Sequence, residues 1–521
     1  MSVLQLANAQ TTPNPYFAYS HNDAMPNASS AQTSASQNKI NGTVTTSPRK
    51  ELAWLAIILV AGLLPRLAFA HGFPTLPISD FRFLVDFATA FQSDLLAKGA
   101  DQWRQLSPGL PLLLSLVLRL YPRSPEATGR LATVILTSLV PLLPFLIWRG
   151  GFRLRTRLVA ALMLALWPGQ ILFSTVVAQD NWVIPPTVAL VALAVRAIKV
   201  PGRGQPVLAA VLYVAAVAIR EEMLLILLPV AVVVAIGVGT GKRLQHLLLG
   251  SAVSALLVGA LIMQRGLATG RYTLFTQHLG RAVLGAYAPG AGLVWIYPEP
   301  FMQAVRPGLQ SSDISERQLS NVELGLAWEE LLRRPLYHVS RIAGTTLLSF
   351  FEMDKAVTSW SLVQPGTLPQ ELRREALSFR SAVWPILVVY PLLLQILFAS
   401  AVYFAVGDRS LLKLISPVLV PMLLKVGLHV IIVSQARYFL VVAALEMLAI
   451  AVVSESCFDA VLQRRLIRSL ALGAVTIVAL FALALAARGY VLQHMEPAVA
   501  RWQLFVQAAA ARHSITHEVR G

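Results

Sequence analysis

The sequence LAWLAIILVAGLLPRLAFA, Leu52–Ala70, runs directly into HGFPTLPISDFR, His71–Arg82. The first part is an apolar run of the length a helix needs to cross a bilayer, about 20 residues. The second is a short loop with two prolines, Pro74 and Pro77, leading to Asp80, the first acid after the run. Apolar runs like Leu52–Ala70 recur as far as Ala487. Hydrophobic residues make up 56% of the 521-residue chain and charged residues 13%, where a soluble protein carries roughly 25% charged. The runs are too continuous for the alternating pattern of an outer-membrane barrel. The expected fold class is an all-α polytopic membrane protein.

The formal net charge is +17. The basic residues cluster in short links between apolar runs, which is the positive-inside pattern and requires no nucleic-acid partner. A lone cysteine, Cys457, excludes an intrachain disulfide and any Cys-rich metal site. Residues 1–49 are rich in Ser, Thr, Asn, Gln and Pro, a composition that buries too little surface to fold. They read as a disordered cytoplasmic tail and carry no signal-peptide pattern.

Arg49 and Lys50 place the start of the first span in the cytoplasm and the Asp80 loop outside. From Phe81 to Leu96, apolar residues Phe81, Leu84, Val85, Ala88 and Phe91 recur at spacings of three and four, which predicts an amphipathic helix lying in the interface. The segment from Ser107 to Pro122 has too short an apolar core to span and is expected to be a surface or re-entrant helix. Later spans are expected at Leu131–Trp148, Leu158–Phe173, Val183–Val195, Val207–Ile219, Met223–Val238, Leu247–Met263, Val383–Val406, Leu414–Ile432, Phe439–Val453 and Leu470–Ala487. With the first, they make about 11 transmembrane helices, joined by external surface helices. The N-terminus falls in the cytoplasm, the C-terminus outside, and the basic clusters on one side.

The expected organisation is the tail 1–49, a transmembrane module 50–263, an external region 264–380, transmembrane helices 381–487 and an external tail 488–521. The external region is aromatic and charged, with Trp295, Tyr297, Glu299, Trp328 and the Glu329–Glu330 pair. Its segment 336–351 reads as a surface helix, with a span as the alternative.

Four polar sites fall at the outer boundary: Asp80, Asp180, Arg220 with Glu221 and Glu222, and His429 through Tyr438. Ionisable groups at such depth are costly and usually line a cavity. Each has a plainer reading as well. Asp80 and Asp180 stand where helix N-caps would. Glu221 and Glu222 would neutralise Arg220, Arg437 and Tyr438 would anchor a span at the interface, and His429 would be a packed core residue.

The order of these parts resembles the GT-C glycosyltransferases, in particular the family-39-like group of protein mannosyltransferases and aminoarabinose transferases. The resemblance rests on Ile78-Ser79-Asp80 in the first loop, the proline-led PGLPLLLSLVLRLYP, ALWPGQILFSTVVAQDNW, the arginine of AVAIREE, and HVIIVSQARYFLVVAALEML. This chain has a single first-loop Asp where the family has an acid pair, and Gln179-Asp180 where Glu is usual. The resemblance implies a GT-C-like bundle and an integral-membrane transferase with a polyprenyl-phosphate-linked sugar as donor. The acceptor would be a hydroxyl on a lipid, a glycan or a protein. It makes Asp80 the catalytic carboxylate, with Asp180 beside it, and a divalent cation, if one is used, would bind these two. Arg437 and Tyr438 would sit near the lipid phosphate, with Arg220, Glu221 and His429 completing the substrate site.

The chemistry suits these residue types. A carboxylate takes the proton of the attacking hydroxyl, and arginine holds a departing phosphate bidentately. The location implied is the cell inner membrane, with the site on the periplasmic face. The competing class is a transporter or flippase of a lipid-linked saccharide, which predicts repeat symmetry and broken helices near the midplane.

Overall fold

The computed structural model describes residues 47–518 except 105, 123, 203, 238–242, 277–278, 289–290, 292–297, 299–300, 303–315, 432–434 and 457–462; side chains beyond 494 are also outside the description. The tail expected at 1–49 therefore lies outside the described residues up to 46, as do Cys457, Trp295, Tyr297 and Glu299. Among the described residues the regular structure is entirely helical. The protein is an all-α, multi-pass membrane protein. In hydrocarbon, where no water can serve the backbone, helices satisfy their own N–H and C=O groups.

Eight helices among the described residues are long and apolar enough to cross a membrane: Pro48–Gly72, Pro125–Ile147, Gln179–Lys199, Leu244–Thr269, Gln370–Val406, Arg409–Val430, Ala436–Ser454 and Arg464–His494. Three shorter apolar helices, Gly109–Leu120, Gln205–Ile219 and Met223–Ile236, accompany them. The first helix, α1 (Pro48–Gly72), leads through the proline loop to α2 (Asp80–Ser93). Helix α2 buries Phe81, Leu84, Val85, Phe87, Ala88 and Phe91, the face its periodicity marks out. It packs on α3 (Gly109–Leu120), whose 12 residues are indeed short of a span.

Helices α4 (Pro125–Leu139) and α5 (Leu142–Ile147) form the second span. The expected third span, Leu158–Phe173, is not one helix. It breaks at Trp167–Pro168 into α6 (Leu154–Ala165) and α7 (Pro168–Phe173). Proline has no N–H and its ring clashes with the preceding turn, so it opens a new helix instead of continuing the old one. The break frees carbonyls at the end of α6. Arg66, fully buried in α1, donates to two of them, Ala165 O at 3.0 Å and Leu164 O at 3.3 Å.

Helix α8 (Gln179–Lys199) and the late helix α18 (Leu440–Ser454) are the centre of the bundle, with 83% of each span buried. Around them stand α9 (Gln205–Ile219), α10 (Met223–Gly237), α16 (Arg373–Val406) and α17 (Arg409–Ile431). Helix α11 (Arg243–Thr269) is peripheral, its apolar window entirely unburied. The region expected to be external holds α12 (Leu279–Tyr287), α13 (Glu316–Arg333), α14 (Pro335–Phe351) and α15 (Met353–Leu362). At 17 residues, α14 is not among the helices long enough to span. The last helix, α19, runs unbroken from Gln463 to Glu518, so the helix of the last span extends into the residues expected as a tail from 488.

The two ends of the bundle differ in charge chemistry. At the start of α1, Glu51 pairs with Arg149 at 3.0 Å and with Arg157 at 2.9 Å. Arg153 lies 3.8 Å from Glu455, at the end of α18. The acids and arginines singled out as candidate site residues lie at the opposite ends of α1, α8 and α18.

Candidate functional site

Asp80 is the first residue of α2, and Ser79 before it takes φ 51°. That left-handed backbone is unusual for a non-glycine residue and turns the loop sharply into the helix. No side chain caps this end, so the capping role open to Asp80 in the sequence is not the one it plays. Its Oδ2 instead accepts from Arg437 Nη2 at 3.0 Å, and its Oδ1 accepts from Ser79 Oγ at 3.0 Å. The Asp80 side chain is 51% exposed and that of Arg437 10% exposed. Burial pushes the Asp80 carboxyl up, but the charge and hydrogen bond of Arg437, with Ser79, outweigh it and hold the group below the usual carboxylate range. Asp80 is thus an ionised, water-accessible carboxylate against a buried cation.

Arg437 lies in a 3₁₀ turn, Ala436–Phe439, that leads into α18. Its guanidinium carbon is 5.1 Å from the Trp360 ring, 5.2 Å from Tyr438 and 5.4 Å from Phe81. Its Nε donates to Gln435 at 3.0 Å. Three aromatic faces and one amide fix the plane of the fork, and cation–π attraction stabilises it there.

Tyr438 joins this pair to a second set. Arg220 sits 4.7 Å over the Tyr438 ring, and His429 stacks on the same ring at 4.6 Å with 21° between planes. Arg220 occupies the turn between α9 and α10. It pairs with Asp180 at the start of α8 and, through Nε at 3.0 Å, with Glu222. Glu222 also takes Lys425 Nζ, and His429 Nε2 lies 3.6 Å from it. Burial raises the Glu222 carboxyl, but Arg220, Lys425 and His429 together pull it well below the ordinary value. Burial would discharge Arg220, and Glu222 and Asp180 reverse that and hold its proton more tightly than usual. The order Asp180, Arg220, Glu222, Lys425 alternates in sign, so each charge leaving water has an opposite partner.

Asp80, Asp180, Arg220, His429, Arg437 and Tyr438, picked from four separated stretches, therefore lie in one connected network. Glu221 does not join it. Its carboxylate accepts from Thr276 N at 2.7 Å and Thr276 Oγ1 at 2.5 Å, holding the segment after α11 across the α9–α10 turn. Burial raises the Glu221 carboxyl despite those two bonds. Its neighbour Glu222 holds the central place. Lys425 and Trp360 were not singled out from the sequence. A lysine inside the apolar run Leu414–Ile432 was the available signal for the first; nothing marked Trp360.

The described residues gather no group of three His, Cys, Asp or Glu side chains able to hold a metal ion. Asp80 and Asp180 each engage an arginine. That donor set does not fit a divalent cation.

No family model matches the sequence, and no curated protein matches it. Among solved structures, the chain is similar to the archaeal oligosaccharyltransferase AglB from Archaeoglobus fulgidus in complex with an inhibitory peptide and a dolichol-phosphate. The TM-score is 0.43 at 16% identity, over 86% of this chain and 56% of that one. It is similar to the apo form of the Archaeoglobus fulgidus oligosaccharyltransferase with TM-score 0.43 at 14% identity, over 86% of this chain and 56% of that chain. For the same enzyme tethered to an acceptor peptide containing the NVT sequon, the TM-score is 0.42 at 16% identity, over 89% and 55%. The chain thus spans little more than half the length of these structures.

Proposed function

We propose that the chain is an integral-membrane glycosyltransferase that moves a sugar from a polyprenyl-phosphate donor onto an acceptor hydroxyl at the periplasmic face of the inner membrane. The observation that carries this reading is the Asp80–Arg437 contact, an accessible carboxylate beside a buried and ring-seated guanidinium. The two groups match the two charges that move in the reaction. The acceptor oxygen bonds to the anomeric carbon while the bond from that carbon to the phosphate oxygen breaks, its electron pair leaving with the phosphate. Asp80 takes the hydroxyl proton, and Arg437, with Arg220 behind Tyr438, offsets the charge gathering on the phosphate.

An apolar groove of about 290 Å³ between α9, α10 and α11 suits the lipid chain. Leu224 lines it, two residues after Glu222, and Tyr213 in its wall donates to Leu224 O at 2.8 Å. The groove thus begins where the charged network ends along the chain.

The test is sugar transfer in membranes, normalised to folded protein, for Asp80→Asn and Asp80→Ala. Asn keeps the size and loses the proton acceptor. Both variants should transfer about 10²–10⁴-fold more slowly, the usual share of a general base. Near-normal transfer by Asp80→Asn would remove Asp80 as the base. No transfer by the wild-type protein, with a lipid-linked saccharide stranded on one leaflet in a deletion strain, would turn the reading toward a flippase.

A further inference from the structure

The break in the third apolar stretch holds a carboxylate that the site does not use. Asp354, in the first turn of α15, is fully buried. Trp167 Nε1 donates to its Oδ1 at 2.8 Å, and the backbone N–H of Gly169 donates to the same carboxyl group. A Cβ added at Gly169 would overlap Cγ and Oδ1 of Asp354, so the two backbones approach as closely as glycine permits. The other oxygen, Oδ2, has no hydrogen-bond partner among the described residues. An acid without a cation is an expensive way to fill a core, and an apolar side chain of that size would pack at lower cost. Its hydrogen bonds must therefore specify something that packing alone would not.

What they specify can be followed from the contacts. Pro168 leaves the N–H groups of α7 without intrahelical partners and the last carbonyls of α6 without donors. Polar side chains from two other helices meet the two sides: Arg66 of α1 takes the carbonyls and Asp354 of α15 takes an N–H. Helix α7 is thereby fixed against α15 in one register. Both helices then meet the same ring. Phe173 at the end of α7 and Trp360 on α15 stand edge-on to Phe81, at 6.4 and 5.3 Å. Trp360 is also the nearest of the three rings around Arg437, at 5.1 Å.

We propose that Asp354 is a positioning residue for Arg437: by fastening α15 to the broken third span, it sets the Trp360 ring that holds the guanidinium beside Asp80. Its importance for substrate rests on the proposed function; the positioning itself does not.

Two measurements on the purified full-length protein separate these. The first is the rate at which phenylglyoxal modifies Arg437, followed by mass spectrometry, with no ligand present. Asp354→Leu removes both acceptor bonds and should raise that rate several-fold. Asp354→Asn keeps an oxygen to accept them and should stay within about threefold of wild type. Gly169→Ala, which forces α7 and α15 apart, should move in the same direction as Asp354→Leu and serves if the leucine variant does not fold. An unchanged Arg437 rate in both Asp354→Leu and Gly169→Ala overturns the proposal. The second measurement is binding of farnesyl phosphate. Asp354→Leu should weaken it about tenfold and Asp354→Asn should restore it. Altered Arg437 reactivity in a protein whose wild type and Arg437→Gln variant both ignore farnesyl phosphate would support the positioning and overturn the proposed donor.

Discussion

Replacing Arg220 by alanine tests whether the buried charges form one ladder. Arg220 is 12% exposed on its side chain, and its partners Asp180 and Glu222 are 6% and 18% exposed. Breaking a buried ion pair by removing one partner costs about 3–5 kcal/mol, because the other charge stays behind without compensation. The structure says which charge that is. Glu222 keeps Lys425 and His429 after Arg220 is gone. Asp180 keeps no direct ion-pair partner among the described residues. Arg220→Ala should therefore lose about 3–5 kcal/mol, and adding Asp180→Asn should recover most of it. Adding Glu222→Gln instead should recover nothing, since it strips Lys425 of its partner. The assay is chemical or thermal unfolding in detergent for wild type, the single variants and the two doubles. Equal rescue by Asp180→Asn and Glu222→Gln would refute the ladder as drawn, and no loss in Arg220→Ala would refute its burial.

Two further outcomes are expected. Burial pushes the Asp354 carboxyl from 3.8 up to about 7, against the hydrogen bonds from Trp167 and Gly169 that favour its ionised form, with the Tyr390 hydroxyl nearby. A raised folded-state value gives stability that is full below pH 3.8 and lost as pH rises toward 7. Asp354→Asn, always neutral, should thus gain on wild type as pH rises from 3.8 to about 7 and level off above it, by roughly 4 kcal/mol over that whole interval at 1.36 kcal/mol per pH unit; a difference constant from pH 5 to 8 would contradict this. For orientation, single cysteines placed in a Cys457→Ser background at Lys98, after α2, and at Ser410, in the first turn of α17, should label differently. Lys98→Cys should react from the outside of intact cells and Ser410→Cys only after the membrane is opened, and the reverse pattern would invert the topology.

How much was legible follows the physics of each element. The period of α2 was readable because one face meets protein and the other water, so Phe81, Leu84, Val85, Ala88 and Phe91 stand out. No such contrast exists in the spans. Lipid and protein are equally apolar neighbours, so nothing in the sequence separates the buried α8 from the exposed α11. The Trp167–Pro168 break was masked by its apolar surroundings, although Pro168 carried the signal. In the turn Arg220–Glu222 helical periodicity ends, so sequence spacing could not tell that Glu222 faces Arg220 while Glu221 faces Thr276.

That the chain is helical and crosses a membrane several times could be read without coordinates, as could the placing of acids and arginines at helix ends, because length, hydropathy and charge position are properties of the chain alone. Which of those charges meet depends on how the helices pack. Asp80 and Arg437 are separated by most of the chain, and their 3.0 Å contact exists because the start of α2 and the turn before α18 meet at the same level of the bundle. Lys425, Trp360 and Asp354 took their places the same way: a charge or a ring in an apolar bundle is stable only against a partner, and the packing of helices chooses it.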